Sequence, residues 1–183
     1  MVIEFLAEGF EEIEALTPVD VLRRAGVEVK TAAVGGRGLI VTGSHGIPVT
    51  ADITAEEALA VAGEIEMVIL PGGMPGAKNL DADETVDAVL RAVRENGGIL
   101  AAICAAPLVL GRRGWLEGKK ATCYPGFEGE LRGADVTGGR VETDGRIVTA
   151  CGMGAATEFA LALAAILKGG EAAETLRAAI LAK

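Results

Sequence analysis

Residues 67–73 read Met-Val-Ile-Leu-Pro-Gly-Gly, and residues 99–107 read Ile-Leu-Ala-Ala-Ile-Cys-Ala-Ala-Pro. Each opens as an unbroken apolar run. Such runs suit strands buried on both faces of a parallel sheet, where no polar alternation is needed. Between them, residues 83–96 put Val86, Val89, Leu90 and Val93 on one helical face and end in Asn96-Gly97-Gly98. Strand, helix, strand in that order is the unit of an α/β fold.

The same alternation extends outward. Residues 2–6 predict a first strand. Residues 11–25 predict a helix, with Ile13, Leu16, Val19, Val21 and Leu22 as its apolar side and Gly26 as its stop. Pro18 lies inside it, where a kink or break is expected. A second strand follows at 27–34, then a small hairpin or pair of edge strands at 39–41 and 47–51. Thr54 and Glu57 form a capping box for a short helix. Beyond Cys104 a helix is expected over 105–112 and a short strand over 120–122. Segments 141–143 and 146–150 flank Asp144-Gly145, a strong hairpin signal. Helices over 157–168 and 171–182 close the chain. No repeat or linker interrupts it, so residues 1–183 read as one domain.

Composition narrows the function. Half of the 183 residues are apolar, enough for a substantial core. A net charge of −9 and 3% aromatic residues argue against nucleic acid or an anionic membrane as partner. The longest uncharged apolar stretch, 99–110, is about a dozen residues, whereas a membrane span needs roughly 20. Val2-Ile-Glu-Phe-Leu lacks the basic start of a signal peptide. Cys104, Cys123 and Cys151 are odd in number and have no C-x-x-C spacing, as expected of reduced thiols in the cytoplasm. His45 is the single histidine, so a His-rich zinc site is excluded.

Three segments carry chemistry. Cys104 stands where a buried strand turns sharply into a helix. That turn projects the side chain and puts the sulfur near unpaired helix N–H groups, which favour a thiolate. A buried, inert cysteine is the alternative. Pro71-Gly72-Gly73 follows another strand end, where adjacent glycine amides can converge on an oxyanion; the alternative is a plain turn. Glu11, Glu12 and Glu14 follow the first strand at the same end of the sheet. One of them pointing inward at Cys104 could move protons; otherwise they are a solvated helix start.

These stretches resemble the ThiJ/PfpI family, most closely its DJ-one and YajL-like branch. The matching segments are Ala7-Glu-Gly-Phe-Glu-Glu-Ile-Glu-Ala15, Val68-Ile-Leu-Pro-Gly-Gly-Met-Pro-Gly76, Ala101-Ala-Ile-Cys-Ala-Ala-Pro107 and Phe159-Ala-Leu-Ala-Leu163. The resemblance implies a flavodoxin-like three-layer sandwich, mostly parallel with helices on both faces, and a homodimer. It makes Cys104 an oxidation-prone nucleophile and Glu14 the carboxyl that hydrogen-bonds it. Gly72, Gly73 and Ala105 become backbone donors, and Arg24 a pocket residue at the dimer interface. Activities associated with the family are glutathione-independent glyoxalase, deglycation, redox sensing and chaperone-like protection in oxidative stress.

The chain departs from that pattern. Tyr124 stands where the branch often has a histidine, in Thr122-Cys-Tyr-Pro125. His45 falls where an arginine often lies near the pocket, and Cys151 replaces another arginine. Asp20 matches a residue that would pair with the missing histidine. The expected activity is a cofactor-free glyoxalase or deglycase acting on dicarbonyls or their protein adducts. The alternative is a redox-sensing, chaperone-like protein whose Cys104 oxidises to a sulfinate without turnover. A peptidase or amidase is a third reading, without a dedicated histidine base.

Overall fold

The computed structural model describes residues 1–182. Its first half comprises β1 (Val2–Leu6), α1 (Glu12–Arg24), β2 (Val29–Ala33), β3 (Ile40–Thr42), β4 (Pro48–Thr50), β5 (Ile53–Thr54), α2 (Ala55–Ala60), β6 (Met67–Leu70), α3 (Gly76–Ala82) and α4 (Glu84–Glu95). The rest comprises β7 (Ile99–Ile103), α5 (Pro107–Arg112), β8 (Lys120–Ala121), β9 (Asp135–Val136), β10 (Val141–Asp144), β11 (Ile147–Ala150), α6 (Ala156–Lys168) and α7 (Gly170–Ala179).

Seven strands form the central sheet in the order β10-β11-β7-β6-β1-β2-β5. All neighbours run parallel except the β10–β11 hairpin. The apolar runs are buried on both faces because helices cover both. Along β6, Val68 and Leu70 face Val89 and Leu90 of α4 and Leu108 of α5, while Met67 and Ile69 face Val19 and Leu22 of α1 and Phe159 of α6. Side chains of this size contribute roughly 1.5–3 kcal/mol each on burial. The architecture is the flavodoxin-like three-layer sandwich that the resemblance implied.

Several boundaries differ from expectation. Strand 27–34 contracts to β2. The helix expected from residue 105 starts at Pro107, because residues 104–106 are spent on the turn and Pro is favoured at a first helical position. Helix α3 occupies a stretch to which the sequence reading assigns no element. Helix α1 continues through Pro18 without a break. Proline's missing N–H leaves the Glu14 carbonyl without its usual helical donor. The Thr54/Glu57 capping box forms as expected.

Glu4 lies mid-strand, fully buried, and neither carboxyl oxygen has a hydrogen-bond partner among the described residues. Burial raises its pKa well above the carboxylate range, so the fold holds it protonated. No described helix is long and apolar enough to cross a membrane.

The C-terminal ends of β11, β7, β6 and β1 are neighbours. From β1 the chain first moves outward to β2, then returns to place β6 on β1's other side. Crevices of open α/β sheets lie at such a reversal.

Candidate active site

Cys104 caps β7 with φ of +64°, a left-handed conformation that only Leu181 shares among the non-glycine residues described. Such a backbone costs roughly 1–2 kcal/mol for a residue with a Cβ. Flanking strands hold it in place. Cys104 N–H donates to Ala150 C=O at 2.8 Å, and Tyr124 N–H donates to Cys104 C=O at 2.8 Å. The sharp turn expected from sequence is therefore present, although α5, with six residues, begins beyond it.

Glu14 reaches this turn from the first coil of α1. Its N–H donates to Glu11 Oε2 at 2.7 Å, so Glu11 is the helix cap that fixes Glu14's approach. The Glu14 side chain is buried and hydrogen-bonded to Cys104. Gly72 N–H donates to Glu14 Oε2 at 3.0 Å, and the Met153 amide also serves this carboxyl. The Gly73 and Ala105 amides point at the Cys104 sulfur. The three backbone donors expected at an oxyanion are thus divided: Gly72 is engaged by Glu14, and the other two attend the sulfur.

Close approach explains the glycines. A Cβ on Gly72 would stand 2.5 Å from Glu14 Oε2 and 2.7 Å from Cys104 Cβ. One on Gly73, at φ of +86°, would collide with the backbone of Gly9 and Glu11.

Glu14 and Cys104 titrate as one coupled unit. Burial raises Glu14 to about 7, outweighing the bonds from Cys104, Gly72 and Met153 that favour its charge. Burial, then the Glu14 charge, pushes the Cys104 thiol up to about 12, against the Ala105 and Gly73 amides. A lone low-pKa thiolate is therefore replaced by a coupled pair. The pair takes up one negative charge near pH 7 and resists a second until about 12. Sulfur is anionic at neutral pH only while Glu14 holds the shared proton.

Other expected residues sort differently. Tyr124 is half-exposed and lines a 430 Å³ cleft with Thr122, Cys123, Cys151, Gly152 and Met153. Cys123 is buried, and that burial raises its thiol to about 11. His45 is exposed and held by Glu12: its ring Nδ1 lies 2.7 Å from Glu12 Oε2, and its N–H donates to Oε1 at 2.8 Å. Burial opposes charge on Glu12, but these bonds win and lower it to about 2. Within one chain Arg24 stands away from Cys104, on the groove lined by Ile13, Leu16 and Ile47. It lies ten residues beyond Glu14 along α1, about 15 Å at 1.5 Å per residue. It pairs instead with Asp20 at 2.8 Å.

Met153 is a site residue the sequence reading did not single out: its side chain is half-exposed and its amide supports Glu14. Its signal in the sequence was a second glycine-flanked turn at a strand end, Gly152-Met-Gly154. Glu11, Glu12 and His45 bring ligand atoms within 4.8 Å of one another, the one such cluster among the described residues. Glu11 is committed to the helix cap and Glu12 to His45.

Comparison with known proteins places this geometry. The profile of the DJ-1/PfpI family matches residues 1–178. The chain is 36% identical over 181 residues to the Parkinson disease protein 7 homolog of Danio rerio, covering 97% of this chain and 95% of that one. The chain belongs to the DJ-1/PfpI family. Solved structures of family members superpose closely. A cysteine-to-alanine mutant of a DJ-1 superfamily protein from Salmonella typhimurium has a TM-score of 0.93 at 32% identity, with 100% of this chain and 98% of that one covered. Oxidized DJ-1 of Toxoplasma gondii has a TM-score of 0.91 at 38% identity, with coverages of 99% and 97%. A protein of Pyrococcus abyssi named a deglycase is 32% identical over 145 residues, covering 78% of this chain and 84% of that one.

Proposed function

We propose that this DJ-1/PfpI member is a glutathione-independent glyoxalase and deglycase that works without a cofactor on methylglyoxal-type dicarbonyls or their protein adducts. The observation that carries the proposal is the buried Glu14–Cys104 hydrogen bond on a strained strand-end turn. It supplies a nucleophile and a proton carrier in contact, with Glu14 raised to about 7, where it can both give and take a proton. The deglycase name of the archaeal relative supports the same chemistry.

The steps follow from the pair's single charge. Cys104 thiolate attacks the aldehyde carbon, and protonated Glu14 gives its proton to the new alkoxide, forming a hemithioacetal. Glu14 carboxylate then takes the proton from that carbon and returns it to the adjacent carbonyl carbon, via an enediol. The result is a lactoyl thioester on Cys104. Water hydrolyses it to lactate and frees the thiol. The Ala105 and Gly73 amides, aimed at the sulfur, support its anionic state.

We further propose that α1 forms a homodimer interface. Ile13, Leu16 and Ile47 are exposed and line one 850 Å³ groove with Leu181.

Lactate formation from methylglyoxal without glutathione, absent in Cys104→Ser, tests the enzymatic reading. An inactive wild type whose Cys104 still oxidises readily favours the redox-sensor alternative, which the oxidized Toxoplasma relative brings forward.

A further inference from the structure

The three segments that carry the cysteines run side by side at this end of the sheet. Strands β7 and β11 run parallel with Ile103 facing Ala150, so Cys104 and Cys151 are the next positions in register. The Cys104 N–H bond to Ala150 C=O carries that pairing up to the turn. Adjacent strands lie about 4.8 Å apart. A disulfide spans Cα separations of about 4.4–6.8 Å.

On the other flank, residues 122–124 run beside residues 149–152. Thr122 N–H donates to Thr149 Oγ1 at 2.9 Å, and a Cβ on Gly152 would meet the Tyr124 ring at 3.2 Å. Cys123 and Cys151 accordingly line the same cleft. All three are free thiols, Cys104 and Cys151 partly accessible and Cys123 buried. Residue 123 also lies beside Cys104, through the Tyr124 N–H bond to Cys104 C=O, but Cys151 is the neighbour in strand register and the more accessible of the two.

We infer that Cys151 resolves an oxidised Cys104, making the pair a reversible dithiol switch. A hydroperoxide oxidises the Cys104 thiol to a sulfenic acid and is itself reduced to an alcohol or water. The Cys151 thiol then attacks the Cys104 sulfur: the S–S bond forms, the S–O bond breaks, and water leaves with the Cys151 proton. The disulfide blocks the nucleophile and diverts it from the irreversible sulfinate. A thiol reductant returns both groups. This switch stands apart from dicarbonyl turnover and is read without it.

The test is peptide mapping under non-reducing conditions after stoichiometric hydrogen peroxide and quenching with an alkylating agent. Wild type is expected to give a Cys104–Cys151 linked peptide within a monomeric chain, fully reversed by dithiothreitol. Cys151→Ser should lose the link and accumulate Cys104 sulfinate at least tenfold faster. Cys123→Ser should keep the link. Cys104 sulfinate in wild type with Cys151 still alkylatable overturns the inference, as does a link from Cys104 to Cys123 or between chains.

Discussion

Glu14→Gln should make the protein more stable and less active, and the stability gain should depend on pH. In the fold Glu14 ionises near 7; in the unfolded chain its ordinary value is 4.5. Below pH 4.5 both states hold the proton and no penalty exists. Between 4.5 and 7 the unfolded chain gives up its proton while the fold retains it, so stability falls as pH rises. At about 1.4 kcal/mol per pH decade, the full penalty above pH 7 is about 3 kcal/mol. Gln keeps the shape, an acceptor for the Gly72 amide and a donor for the sulfur, and it does not titrate. The advantage of Glu14→Gln over wild type should therefore grow by about 3 kcal/mol from pH 4.5 to pH 8. At roughly 2–4 °C per kcal/mol for a chain of this length, Tm should separate by up to about 6–12 °C. Parallel thermal melts at pH 4.5, 6 and 8 measure it. Dicarbonyl turnover should fall by about 10²-fold or more. A Tm difference that stays constant across the pH range would refute the burial-raised carboxyl, and turnover at the wild-type rate would refute the proton carrier.

Gly72→Ala should destabilise the fold by about 1–3 kcal/mol and abolish turnover, because the added methyl needs the space held by Glu14 Oε2 and Cys104 Cβ; denaturant melts and rate measurements check both. Glu4→Leu should raise Tm, and more at pH 8 than at pH 5, since the wild-type fold must keep a carboxyl protonated that the unfolded chain releases; an unchanged or lower Tm at both pH values would contradict it. Sedimentation should find a dimer at micromolar concentration, and Leu16→Glu, on the exposed face of α1, should give monomers that still fold.

The sheet was legible because its central strands are apolar on both faces. No exposed alternation blurs β6 or β7, and each ends in a residue pattern that can only turn. Strands β5 and β9, two residues each at an edge or in a side pair, carry no such pattern. Helix α3 turns only Gly76, Ala77 and Leu80 inward, too little to show beside the preceding Pro-Gly turn. At the site, Cys104 was legible from its place after a strand end, while position left Glu11, Glu12 and Glu14 open and the family resemblance chose Glu14. Their proton distribution was not, because it depends on burying two groups against each other from distant parts of the chain. A helix-dipole argument weighs only the amides near Cys104, whereas α5 starts beyond the turn and burial acts on both groups. The acceptor of the Gly72 amide was not legible for a related reason: sequence order gives the element but not the direction in which a donor points.

The central claim is that Cys104 binds the dicarbonyl covalently while Glu14 carries a proton from one carbon to the next. Proton NMR of the methylglyoxal reaction in D2O, without glutathione, reads this in one spectrum. The account predicts lactate carrying deuterium at C2, because Glu14 exchanges its proton with solvent between the two transfers. It predicts no enzymatic lactate from Cys104→Ser. Lactate that retains hydrogen at C2 would contradict a Glu14 that exchanges with solvent between the two transfers, and absence of lactate from wild type would contradict the enzymatic account altogether.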